Sequence, residues 1–148
     1  MKTLSMGILA CAAALISWQA FGLYSNQYVK ATPLLKTTSS WDGTQLAYPA
    51  GGAELSAMIV ELVPGGETGW HLHTVPSVAV MLEGEIEVHL KDGRVKPLKQ
   101  GESLAEVVNT LHNGKNTSDK PARMAVFYAG AAEKQLTLSE AEAALKDL

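Results

Sequence analysis

The sequence predicts a single all-β domain, a barrel or sandwich, followed by one short C-terminal helix. Three observations carry that expectation. From Gln45 onward, brief apolar runs alternate with turn residues every eight to twelve positions, the spacing of small antiparallel β folds. Asp92-Gly93 lies between two strand-like runs, where glycine accepts the positive φ of a tight hairpin. Near the end, Ser139 is followed three residues later by Glu142, a capping box that starts a helix.

Residues 23–45 are polar and weakly patterned, and are read as an entry segment with one short strand around Val29–Leu35. Glu54–Val63 is a strand ended by Pro64-Gly65-Gly66. Val78–Leu82 stops at Glu83-Gly84, and Ile86–Leu90 at the Asp92-Gly93 hairpin. Arg94–Lys99 stops at Gln100-Gly101, and Ser103–Val108 at Asn109. Arg123–Tyr128 makes the last strand before Gly130, and the helix covers Glu140–Lys146. The barrel is expected over 46–130, with 131–148 as a tail. No internal repeat, low-complexity tract or interdomain linker interrupts this pattern.

Length and composition agree. The chain has 148 residues, enough for one domain, with 47% apolar and 18% charged residues, so it can build a core. Its net charge of −3 argues against a nucleic-acid partner, which calls for a basic excess or patch. Cys11 is the single cysteine, excluding an internal disulfide framework and any multi-cysteine metal site.

That cysteine sits in a segment unlike the rest. Lys2 precedes a thirteen-residue, nearly uncharged run, Leu4–Ile16, the pattern of a secretory signal peptide over 1–22. Ala20 and Gly22 place small residues at −3 and −1 for cleavage after Gly22. An uncleaved anchor over Leu4–Tyr24 and, from Ile8-Leu9-Ala10-Cys11, a lipidated cysteine are the other readings. Each places the folded part outside the cytoplasm, periplasmic, extracellular or anchored facing outward. Mass spectrometry of the exported protein is expected to show a chain beginning at Leu23; a terminus still carrying Met1 would exclude cleavage.

The four histidines are informative. His71 and His73 are separated by one residue, and in a strand such positions share a face, so both imidazoles can reach one metal ion. His112 follows 39 residues later, in Thr110-Leu111-His112-Asn113-Gly114. His89, among Glu87 and Lys91, is read as a surface residue. Trp70, next to His71, is expected to face away from the metal side.

These residues resemble the two motifs of the cupins. The first runs Gly65, five residues, His71-Leu72-His73, three residues, Ser77, six residues, Gly84. The second runs Gly101, five residues, Val107-Val108-Asn109, two residues, His112, three residues, Asn116. Sixteen residues separate Gly84 from Gly101, as in a small single-domain member, and Thr68–His73 with Val75-Pro76 looks like a group of small exported cupins. The resemblance covers about residues 45–130. It implies a double-stranded β-helix, or jelly-roll barrel, a divalent transition metal (Fe, Mn, Ni or Zn) on His71, His73 and His112, and a homodimer.

The sequence departs from the motifs in places that matter. The family's motif glutamate, a fourth metal ligand, is Ser77 here, and a serine hydroxyl is a poor ligand. Three imidazoles can still hold a metal with open positions. Glu106 is the candidate replacement, as a ligand or a nearby base, because it shares strand parity with Leu104 and Val108 and an isolated carboxylate there would be costly. The competing reading makes it an exposed edge-strand glutamate. Asn109, where the motif has glycine, can adopt the same left-handed turn. Asn116 is read as supporting the turn after His112, and Tyr128 as a residue of the barrel mouth.

Three functions remain open at this level. The first is a metal-dependent oxygenase or isomerase acting on a small organic molecule. The second is a non-catalytic module binding a metal or small ligand, and the third a metal-free structural barrel.

Overall fold

The computed structural model describes residues 28–146. The chain divides into two units, Met1–Pro33 and Leu34–Leu148, and the architecture that follows is that of the second. The predicted leader and the start of the entry segment lie outside the described residues. The strand expected around Val29–Leu35 does not form: Val29 makes an isolated bridge and residues 30–37 adopt no strand. Pro33 sits within that stretch, lacks an N–H for a ladder and restricts the residue before it.

Among the described residues, nine strands and one helix follow. They are β1 (Ala53–Leu62), β2 (His71–His73), β3 (Ser77–Glu83), β4 (Glu85–Leu90), β5 (Val95–Lys99), β6 (Ser103–Ala105), β7 (His112–Lys115), β8 (Ala122–Ala131), β9 (Thr137–Ser139) and α1 (Glu140–Lys146). They form two antiparallel sheets, of order β1-β8-β3-β6 and β5-β4-β7-β2-β9.

Two-residue alternation sets the inner faces. Ser77, Ala79 and Met81 of β3 are buried, as are Ile86, Val88 and Leu90 of β4. Leu62, Leu98, Leu104, Met124, Val126 and Tyr128 complete the core with Val75, which is fully buried. The ten-residue β1–β8 ladder runs from Ala53↔Ala131 to Leu62↔Ala122. Pro97 lies in β5, an edge strand, where a missing N–H is tolerated.

Turn chemistry behaves as expected. Gly93, at φ +90°, closes the β4–β5 hairpin, and Asn109 takes φ +53° in place of the motif glycine. Gly84 is required for space as well as φ (+73°), since a Cβ there would stand 2.6 Å from the Pro121 carbonyl oxygen. Asn116 is buried and ties three segments together. Its Nδ2 donates to the carbonyls of Leu62, Val63 and Lys120 at 3.1, 3.2 and 2.7 Å, while its Oδ1 accepts from Ser118 N and Oγ at 3.1 and 2.8 Å. The capping box forms, with Ser139 N donating to Glu142 Oε2 at 2.8 Å and Glu142 N to Ser139 Oγ at 3.3 Å.

Two of the differences from expectation bear directly on the site. The strand predicted over Ser103–Val108 ends at Ala105. Glu106 N still donates to Ser77 O at 3.0 Å, but Val108 bridges His73 in parallel and Asn109 N donates to His73 O at 2.8 Å. The chain there leaves one sheet for the other, and its crossing carries Glu106 into the interior. The edge of β6 is covered by the entry segment, through Trp41 N to Ala105 O (3.1 Å) and Ser40 Oγ to Glu106 O (2.8 Å); a covered edge cannot recruit another strand. The second difference is β9, an unanticipated strand in the tail, which pairs His71↔Ser139, Leu72↔Leu138 and His73↔Thr137. The alternation Leu136-Thr137-Leu138-Ser139 carries the signal for it.

Candidate metal centre

The three histidines come together on the inner face of the five-stranded sheet. His71 and His73 flank Leu72 on β2, and His112 opens β7 directly opposite His71 in the ladder. Their ring centroids are 4.3 to 5.0 Å apart, and one ligand nitrogen from each lies within 4.8 Å of the others. These three residues could hold a metal ion.

Each ring is oriented by its outer nitrogen. His71 Nδ1 donates to the Gly69 carbonyl at 2.8 Å and His112 Nδ1 to the Thr110 carbonyl at 2.9 Å. His73 Nδ1 meets the Thr137 hydroxyl at 3.1 Å. With Nδ1 engaged, Nε2 is the atom offered to a metal, the usual outer-shell arrangement of metal-binding histidines. Burial lowers the His71 pKa to about 4, so its imidazole is neutral near pH 7, the form that ligates.

Glu106 is part of this cluster. Its carboxylate is buried, with Oε2 2.8 Å from His73 Nε2 and 3.5 Å from His112 Nε2. The reading of Glu106 as an exposed edge-strand residue is therefore corrected. Burial alone would raise its pKa, but the imidazoles of His112 and His73 outweigh it and hold the carboxyl well below the usual range. The register explains its arrival. Val78 pairs Ala105 and Ala79 pairs Leu104, so Glu106 stands opposite Ser77, and opposed residues of an antiparallel pair share a face. A carboxylate at 106 thus enters the space that one at 77 would use. Ser77 itself is buried, and its hydroxyl makes no hydrogen bond.

His112 Nε2 is likewise buried without a hydrogen-bond partner, since 3.5 Å to Glu106 is an electrostatic contact. A buried, unsatisfied imidazole nitrogen facing two other ligand nitrogens and a carboxylate fits a transition-metal donor set. Behind the cluster lies a cavity of about 50 Å³, walled by Val60, Ala79, Leu104, Met124 and Val126. Tyr128 borders it, its ring 5.3 Å from His73, and burial raises the pKa of its hydroxyl. Tyr128 therefore lies against the histidines inside the barrel. His89 stands apart on the other face of β4, paired with Glu87 at 2.9 Å. Trp70 lies under Lys91, whose Nζ is 3.9 Å from the ring centroid.

Thr137 is the site residue that sequence reasoning missed. It lies in the tail, 64 positions from His73, and only the β2–β9 register brings it there.

Comparison with known proteins agrees with this architecture. Residues 58–128 match a family model described as Cupin domain. A Klebsiella pneumoniae protein of uncharacterized function with a double-stranded β-helix domain matches at 18% identity and TM-score 0.50, over 63% of this chain and 88% of that one. The DMSP lyase DddQ from Ruegeria pomeroyi matches at 20% and 0.50, over 60% of this chain and 44% of that one. Lactobacillus farciminis oxalate decarboxylase matches at 21% and 0.52, over 58% of this chain and 26% of that one. The chain spans less than half of either enzyme, and at these identities the likeness is one of fold. No curated protein matches the chain.

Proposed function

Residues 58–128 are a cupin domain, and on that premise we propose that the protein uses a divalent transition metal to act on a small organic molecule. His71, His73 and His112 would hold the ion, with Glu106 as the fourth ligand. The observation that carries this reading is the convergence of three imidazoles, with the Nε2 of His112 buried and unsatisfied. A mixed nitrogen and carboxylate set suits Fe, Mn, Ni or Zn.

When bound, the ion supplies Lewis acidity and open positions for a substrate's donor atoms. The chain's own residues do the rest. The Gly69, Thr110 and Thr137 oxygens hold the imidazoles in orientation. Apolar side chains behind the cluster keep bulk water from the site and lower the local dielectric. No lysine or arginine lines the cavity among the described residues, so an anionic group on a substrate would have no side-chain cation to pair with. Glu106 serves either as that fourth ligand or as the buried carboxylate placed to accept a proton beside the imidazoles.

The test is the metal content of the purified protein, before and after reconstitution, together with the affinity of Glu106→Gln. About one equivalent of a single transition metal is expected, and a 10–100-fold weaker affinity in the variant. Less than about 0.1 equivalent after reconstitution would remove the metal reading, since an intact site of this donor set binds stoichiometrically. Unchanged affinity in Glu106→Gln would take that residue out of the ligand set.

A further inference from the structure

Among the described residues the two sheets end in four edge strands, and three of these are closed to another strand. β6 is three residues long and covered by the entry segment, with Trp41 N donating to Ala105 O. β5 carries Lys96-Pro97 and Lys99, and lysine and proline on an edge discourage pairing. β9 has three residues and runs directly into α1. β1 has none of these devices. It is the longest edge, ten residues over Ala53–Leu62, with no proline, lysine or arginine and no break in its register with β8. Among the described residues, no strand pairs with its other side.

The register shows which groups β1 turns to that open side. Ala132 N donates to Gly52 O at 2.8 Å, continuing the ladder by one pair. Successive residues of an antiparallel strand bond to opposite sides, so the even-numbered residues of β1 bond to β8. The N–H and C=O groups of Leu55, Ala57 and Ile59 therefore point to the open edge. Their side chains share the outer face, since Val60 lines the barrel cavity and Leu62 belongs to the core. That face is apolar. Leu55 is 85% and Ile59 50% exposed, and Ala129, Phe127 and Ala125 stand beside Leu55, Ala57 and Ile59 on β8. A long apolar edge is a template for pairing with another chain.

We propose that β1 joins two copies of this chain, pairing antiparallel with β1 of the partner subunit about a two-fold axis at Ala57. The strand's own sequence selects both the partner and the register. An antiparallel pair of identical strands is isologous, so one edge satisfies itself and the assembly closes at two copies. With the axis at Ala57, Leu55 lies opposite Ile59 of the partner subunit, and opposed residues share a face. Glu54 then lies opposite Val60 of the partner subunit and Glu61 opposite Ala53 of the partner subunit, so no two carboxylates meet. An axis between Ala57 and Met58 would set Glu54 against Glu61 of the partner subunit, and outward side chains against inward ones. The four-stranded sheets of the two copies become one, with an apolar outer face that crosses the axis. The pairing uses none of the histidines and stands whether or not they hold a metal.

The experiment measures the mass of the full chain by sedimentation equilibrium, as wild type, Ala57→Pro and Phe127→Lys, and reads amide hydrogen exchange residue by residue. Wild type is expected to be a dimer at about 10 μM, which a micromolar or tighter Kd provides, with the Leu55, Ala57 and Ile59 amides protected. Ala57→Pro removes the central N–H and leaves the ladder to β8 intact, as proline permits on an edge strand. It is expected to weaken the dimer at least about 100-fold. Phe127→Lys, on a strand already paired on both sides, is expected to change it by less than about 10-fold, because it is not a cross-strand neighbour of the new pair. A monomeric wild type overturns the proposal, as does an Ala57→Pro dimer as tight as wild type. A dimer lost in Phe127→Lys and kept in Ala57→Pro overturns it too, since the outer faces would then pack together. If Ala57→Pro fails to fold, the wild type decides: a dimer whose Leu55, Ala57 and Ile59 amides exchange without protection overturns the pairing.

Discussion

His112→Ala is expected to leave the protein with less than about 0.1 equivalent of transition metal under conditions that load the parent, because two ligands rarely retain what three or four hold. His112 is the sole donor of the set on β7, buried at 2% exposure and opposite His71. Without it, His71 and His73 keep their shared face but form only one edge of a coordination sphere. Removing a metal-orienting partner already costs 10–100-fold in affinity, and losing a ligand outright costs more. Alanine also opens a cavity in the wall, at about 2–5 kcal/mol by analogy with other large-to-small core changes. Folding must therefore be measured separately, by thermal unfolding in chelator, so that metal loss is not confused with unfolding. A folded variant that still binds one equivalent would exclude His112 as a ligand.

The second large effect concerns stability. Asn116→Ala removes a side chain that is 1% exposed and makes five hydrogen bonds. The carbonyls of Leu62, Val63 and Lys120 then lose the Asn116 amide as a donor within a partly buried turn. Val63 O keeps the Gly66 N–H and Lys120 O keeps the Ser118 hydroxyl, so the cost is that of the buried Leu62 carbonyl's lost donor and the lost acceptor of Ser118, about 1–3 kcal/mol. For a domain of this size that is a fall of about 3–12 °C in melting temperature. Asn116→Asp should be similarly costly, because it keeps the acceptor for Ser118 but cannot donate to the carbonyls. Denaturant unfolding checks both; a loss below about 1 kcal/mol in Asn116→Ala would mean the turn is held by its backbone alone.

The motif position of Asn116 is visible in the sequence, but its partners are not. Leu62 and Val63 lie 54 and 53 positions away, and nothing in their apolar character marks them as acceptors. Glu106 shows the same division. Its parity with Leu104 made burial plausible, yet the strand predicted to run on to Val108 ends at Ala105, because Asn109 and Val108 bond to His73 instead of to β3. A change of ladder partner is a contest between two sheets, and a linear pattern holds only one of the contestants.

The sequence by itself determined β1, β3, β4, β5 and β8, the hairpin, the helix cap and the shared face of His71 and His73. Those depend on local rules: two-residue alternation, glycine at positive φ, a hydroxyl three residues before a glutamate. The tertiary structure alone decided which side chains complete the cluster. Glu106 reaches His73 across 33 positions and Thr137 reaches it across 64. Both are delivered by ladder register, and register is settled by which strands pack together and not by the residues that profit from it.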